Sequence, residues 1–137
     1  MREREYMREI DLERIAQEEK WSEKHADKLL VVENNVVIII EETRGREKKD
    51  DIDKILNTIN KIINEEILEK YVNISKRSVR KFIGIIHFQK RPDIPLIKTI
   101  GSINNELRRR RREKIIITLA NCYGELRRKI FTLAGSS

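Results

Sequence analysis

The sequence predicts an α/β protein: a mixed four-stranded sheet flanked by helices, in the element order αββαβαβα. Three observations predict it. Short β-branched runs of strand length recur along the chain, and segments with apolar residues at helical spacing separate the later ones. With 5 Gly and 2 Pro in 137 residues, collagen-like and Pro/Gly-rich disordered classes are excluded.

Taken in order, residues 2–19 carry Tyr6, Met7, Ile10, Leu12 and Ile15 among dense charges, which predicts a charged amphipathic first helix. Leu29–Val32 and Val36–Ile40 are two apolar, β-branched runs joined through Glu33-Asn34-Asn35. Asn tolerates the positive φ of hairpin turns, so the pair reads as a β-hairpin. Both runs are apolar at odd and even positions, which places the hairpin in a sheet covered on both faces. Asp50-Asp51 opens a segment bearing Ile52, Ile55, Leu56, Ile59, Ile62, Ile63 and Ile67, the stripe of a helix over about 50–69 with acids in its first turn. Lys81–Gln89 reads as a third buried strand, and Arg91-Pro92-Asp93-Ile94-Pro95 as a stiff connection. Leu96, Ile97, Ile100, Ile103 and Leu107 predict a helix running into Arg108–Arg112. A fourth strand over Ile115–Leu119, a last helix around Leu126, Ile130 and Phe131, and a loose Gly135-Ser136-Ser137 tail complete a single domain over 1–137.

Composition narrows function. The longest apolar run, Val36–Ile40, has a strand's length, against roughly 18 residues for a spanning helix. No apolar stretch follows the charged Met1-Arg2-Glu3-Arg4-Glu5 opening, so an intracellular protein without a membrane partner is expected. One Cys and two His exclude a zinc cluster. Abundant Ile, Lys, Arg and Glu match the ion-pair-rich usage of hyperthermophile proteins, although nine Asn run against it. Charge is divided along the chain: residues 1–70 hold 14 Lys and Arg against 19 Asp and Glu, a balance of −5, whereas residues 71–137 hold 16 against 4, a balance of +12. A basic half of this strength attracts polyanions, nucleic acid first among them, or an acidic protein partner.

The hairpin carries the candidate chemistry. Asp27 stands at the entrance to its first strand, and Glu41 and Glu42 stand at the exit of the second. Antiparallel pairing brings entrance and exit together, so carboxylates converge at one end of an apolar strand pair. Hard cations such as Mg²⁺ and Mn²⁺ prefer oxygen ligands, and one or two carboxylates completed by water and a substrate phosphate suffice for phosphodiester cleavage. A two-residue Asn34-Asn35 turn sets Asp27 opposite Glu42, and a three-residue turn including Glu33 sets it opposite Glu41.

The stretch from Asp27 through Glu41-Glu42-Thr43, with the apolar strands between, resembles the core of the PD-(D/E)XK nuclease-like superfamily, which includes archaeal Holliday junction resolvases and restriction endonucleases. In that family an Asp begins one strand, a hairpin follows, and Glu-x-Lys ends the next strand, ahead of a helix. The resemblance covers roughly residues 18–90. It implies a restriction-endonuclease-like core, Asp27 and Glu41 as metal-binding carboxylates with Glu42 as alternate ligand, Mg or Mn as cofactor, and homodimers. Neither zinc nor a nucleotide cofactor is expected, on the Cys and His count and the missing glycine motifs. The family's Lys falls on Thr43; a second alignment takes Glu42-Thr43-Arg44 as the motif and puts Arg44 there. Lys54 or Lys61 on the following helix could stand in for that Lys, and Glu18 or Glu19 for the carboxylate that members add from the first helix. Two functions follow: a metal-dependent endonuclease, with Asp27, Glu41, Thr43 and Arg44 at its centre, or an inactive nucleic-acid-binding protein or adaptor on the same fold. DNA is favoured over RNA.

Arg108, Arg109, Arg110, Arg111 and Arg112 exceed what a helix end needs for its dipole, so they are read as phosphate contacts, together with Arg127 and Arg128. Lys76, Arg77, Arg80 and Lys129 would extend that surface. His25 reads as a surface residue and His87 as a core-edge residue, while Trp21 and Cys122 read as packing residues. No Rossmann glycine fingerprint, P-loop or nucleophile elbow is present.

Overall fold

The computed structural model describes residues 7–32, 35–43, 48–88, 94–112 and 114–135. Its elements run β1 (Met7–Ile10), α1 (Leu12–Glu18), β2 (Lys28–Val32), β3 (Val36–Glu42), α2 (Lys48–Asn64), α3 (Ile67–Val72), a 3₁₀ turn (Lys76–Ser78), β4 (Lys81–Phe88), α4 (Ile94–Arg109), β5 (Ile115–Asn121) and α5 (Cys122–Gly135). The α/β class and the mixed sheet are as expected, but the sheet has five strands, in the order β1-β2-β3-β4-β5. The first three are antiparallel to one another, and β4 and β5 run parallel to β3. Residues 2–6 of the expected first helix, the Glu33-Asn34 part of the turn, Arg44, the Arg91-Pro92-Asp93 connection and Ser136-Ser137 lie outside the described residues.

The extra strand comes from the segment expected to be wholly helical. Met7 and Ile10, three residues apart, fit a helix face equally well, but here Met7–Ile10 pairs with Val32–Leu29 as an edge strand. Asp11 marks the switch: its backbone is extended, and its carboxylate accepts the Arg14 N–H at 3.1 Å as the N-cap of α1. Replacing Asp11 with Ala is expected to cost about 1 kcal/mol, read as a lower urea midpoint with an unchanged slope. The helix expected over about 50–69 is likewise divided. Glu66, at φ 54° in the left-handed region, separates α2 from α3.

Helices cover both faces of the sheet. Leu29, Val31, Val37, Ile39, Phe82, Ile86, Ile115 and Ile117 face a core built with α1, α2, α3 and α4, while Leu30, Val36, Ile38, Ile40, Ile83, Ile85 and Ala120 face α5 through Leu126 and Ile130. Val36 to Ile40 are at most 2% exposed, which is why neither face of β3 shows polar alternation. Gly84, at the middle of β4, lets α2 sit close: a Cβ there would lie 2.4 Å from Ile55 Cγ2 and 2.9 Å from Ile117 Cδ1. Side chains line the outer edge of β5. Asn104 of α4 donates to the Ile117 carbonyl and accepts the Ile117 N–H, both at 2.9 Å. Lys129 donates to the Leu119 carbonyl at 2.6 Å, and Glu125 accepts the Asn121 N–H at 2.9 Å.

The topology gives the domain two poles. At one lie the start of β2, the ends of β3, β4 and β5, and the starts of α2, α4 and α5. At the other lie the β2–β3 turn, the starts of β4 and β5, and the end of α4. No helix among the described residues is long and apolar enough to cross a membrane.

Candidate functional site

The hairpin register sets the site. Val32 pairs with Val36 and Lys28 with Ile40, so three residues make the connection and the ladder continues to place Asp27 opposite Glu41. Asn35 has φ 62° and donates its N–H to the Val32 carbonyl at 2.9 Å. At the open end, Asp27 N–H donates to the Ile40 carbonyl at 3.1 Å, and the Asp27 carboxylate accepts the Glu42 N–H at 2.8 Å. Asp27 is exposed; Glu41, at the end of the apolar run, is 2% exposed and faces α2.

Helix α2 completes the cluster. Nearly two turns into it, Lys54 donates to Glu41 Oε2 at 3.2 Å and lies 3.9 Å from Asp50, which also binds Lys24 at 2.9 Å. Asp51 is 6% exposed, and its charge acts on Glu41. Burial pushes the Glu41 carboxyl up to about 8, the negative charge of Asp27 adds to the rise, and Lys54 opposes both. Glu41 Oε1 and Asp51 Oδ2 are buried without a hydrogen-bond partner. Buried carboxylate oxygens in that condition are costly.

Glu42 goes elsewhere. Adjacent strand residues point to opposite faces, so its side chain lies on the α5 side, with His87 Nδ1 at 2.8 Å and Lys28 Nζ at 3.7 Å. The structure therefore does not bring Glu42 together with Glu41. His87 is 1% exposed and packs against Tyr123 with ring centroids 4.9 Å apart and the ring planes tilted by 59°. Its backbone carbonyl accepts the Thr43 N–H at 3.0 Å, which fixes Thr43 against β4. Of the two lysines considered on α2, Lys54 reaches Glu41, and Lys61 is held by Glu23 at 2.7 Å and Glu65 at 3.0 Å. Glu18 pairs with Arg14 at 3.2 Å on the outside of α1, and Glu19 binds Lys70 and Tyr71, so neither joins the cluster.

Asp51 is the site residue the sequence reading did not select. Acids in the first turn of a helix read as complements to its dipole, and only the burial of Asp51 beside Glu41 separates it from Asp50.

The arginines are distributed differently from the acids. Arg108 to Arg112 are all exposed at the far pole, with Arg108 bonded to Asn105 and Glu106 paired to Arg109 and Arg110 at 2.9 Å each. Arg77 and Arg80, just ahead of β4, gather at the same pole, where Arg80 N–H donates to the Asn35 carbonyl at 2.8 Å. Arg127 and Arg128 are exposed on α5, and Arg128 lines a groove of about 430 Å³ with Thr118, Glu125, Lys129, Thr132 and Leu133. That groove is on the layer away from Asp27 and Glu41. Trp21 packs on the core and donates to Glu65 at 2.9 Å, and His25 lies 3.4 Å from Glu13. Cys122 is exposed rather than packed, because it occupies the left-handed turn, φ 55°, that joins β5 to α5.

Among the described residues, no three His, Cys, Asp or Glu side chains form a ready-made metal cluster. Asp27 and Glu41 are the two acids that would hold a hard divalent cation here, with water and a substrate oxygen completing its shell. A cation there would satisfy the orphaned oxygen of Glu41 and offset the repulsion that Asp27 exerts on it. No family model matches the chain, and neither a curated protein nor a solved structure matches it.

Proposed function

We propose that the chain is a nucleic-acid-binding protein with a PD-(D/E)XK nuclease-like core that hydrolyses phosphodiester bonds with Mg²⁺ or Mn²⁺. One observation carries the reading: at the exit of β3, the buried Glu41 keeps an orphaned oxygen while facing Asp27 across the hairpin and a lysine from α2. The order of hairpin, helix and parallel strand agrees with the resemblance of the sequence. Asp27 and Glu41 would hold the cation, which when bound polarises a phosphoryl oxygen and lowers the pKa of its water. Lys54 supplies from α2 the ammonium that Thr43 lacks, poised between Glu41 and an approaching phosphate. Lys54 on Glu41 makes Arg44 unnecessary as the motif cation.

The test is cleavage of labelled single-stranded, duplex and four-way-junction DNA with Mn²⁺, Mg²⁺ or EDTA. Metal-dependent cutting is expected, lost in Asp27→Ala and Glu41→Ala and reduced at least a hundredfold in Lys54→Met. Binding without cutting under every metal favours the second reading, an inactive nucleic-acid-binding protein. Thr43 at the Lys position and the lack of a three-ligand cluster among the described residues favour that reading.

A further inference from the structure

We propose that the two poles act on one duplex DNA: the arginine pole anchors its backbone, and the Asp27/Glu41 pole engages it one sheet length away, so the protein selects substrates by length. This rests on the proposed function and adds the minimum substrate to it.

The separation comes from the fold. Glu41 lies at the end of β3, whose seven residues span roughly 20 Å at ~3.3 Å each. Helix α4 begins at that pole and ends at the other after 16 residues, or roughly 24 Å at ~1.5 Å each. The two rulers agree. Duplex DNA advances about 3.4 Å per base pair, so one backbone must run for about six or seven base pairs to touch both.

The far pole has the chemistry of a phosphate anchor. Lys114 and Arg80 flank the starts of β5 and β4, and the Arg108–Arg112 run stands beside them. A helix end gains from one or two cations, but α4 ends at Arg109 and the run continues for three residues beyond it. Arg111 is left-handed at φ 59°, where glycine would avoid a cost of about 1 kcal/mol. The opposite pole meets phosphate with the exposed Asp27 carboxylate and the buried Asp51 behind it, while Asp50 is paired to Lys24 and Lys54 and Glu41 is bonded to Lys54. DNA without a divalent cation is therefore held at the arginines alone, and the second contact forms only when a cation screens the acids and the duplex reaches that far.

Fluorescence anisotropy of labelled duplexes of 4, 6, 8, 10, 14 and 20 base pairs, in EDTA and in Ca²⁺, tests this. In EDTA, Arg111→Gln/Arg112→Gln should bind at least tenfold more weakly than wild type at every length, with a shallower salt dependence. Ca²⁺ should tighten wild-type binding at least fivefold for duplexes of eight base pairs or more, leave the 4-mer unchanged, and have no such effect on Glu41→Gln. Wild-type affinity in the arginine variant, or an equal Ca²⁺ gain at four base pairs, overturns the two-pole arrangement and leaves the metal site standing. A Ca²⁺ gain that persists in Glu41→Gln, or no gain at any length, overturns the metal site and this inference together. No DNA binding at all overturns both and leaves an acidic protein as the partner of the arginine pole.

Discussion

At pH 9 and without divalent metal, Glu41→Gln is expected to melt at a higher temperature than the wild-type chain. The Glu41 carboxyl is raised from an ordinary 4.5 to about 8 in the folded protein, by burial first and the Asp27 charge second. Between pH 4.5 and 8 the folded state thus keeps a proton that the unfolded state has released. Stability is lost as pH rises through that window, and the full cost is present above 8. A shift of this size corresponds to something on the order of 3–5 kcal/mol. Gln is neutral throughout and can still accept from Lys54, so the variant escapes the loss while forfeiting metal binding. Melting curves of the two proteins should converge near pH 5 and diverge up to pH 8. Parallel curves over that range would mean that Glu41 titrates normally and that its burial is relieved by something other than protonation. Asp27→Asn, which removes the second cause, should narrow the divergence.

Gly84→Ala is expected to destabilise the fold by about 2–3 kcal/mol, the scale of overpacking in a rigid core. The added methyl would sit 2.4 Å from Ile55 Cγ2, an atom fixed at the branch of its side chain. For a chain of this size the melting temperature should fall by roughly 10 °C. Ile55→Ala alone should also destabilise, by leaving a cavity. In the double variant the new methyl occupies part of that cavity, so the two losses should fall short of additivity by at least about 1 kcal/mol. Strict additivity would show that α2 is not seated on Gly84 as described.

The elements legible in the sequence were those whose burial is uniform. Val36–Ile40 could be read as a strand covered on both faces because five consecutive apolar residues leave no solvated side. The hairpin offered two registers, and the three-residue connection places Asp27 opposite Glu41. β1 was illegible because an edge strand carries charges, here Arg8 and Glu9, and four residues cannot separate a period of two from one of 3.6. The break at Glu66 was hidden by an apolar stripe that continues through it to Ile67. Lys54 was visible as a helix residue, but its contact with Glu41 depends on how α2 crosses the sheet, which no local pattern encodes. The same holds for the arginines. Their clustering was plain in the chain, and their distance from Asp27 follows only from the direction in which α4 runs.

The lined edge of β5 has a consequence for so isoleucine-rich a chain. A foreign strand approaching there finds the Ile117 N–H and carbonyl already matched by Asn104, and the groups beyond them occupied by Lys129 and Glu125. Intermolecular ribbon growth, the usual route from exposed strands to fibrils, is closed at that border. Two copies that meet at this border must do so through helices or loops, and the sheet gains no strand beyond β5.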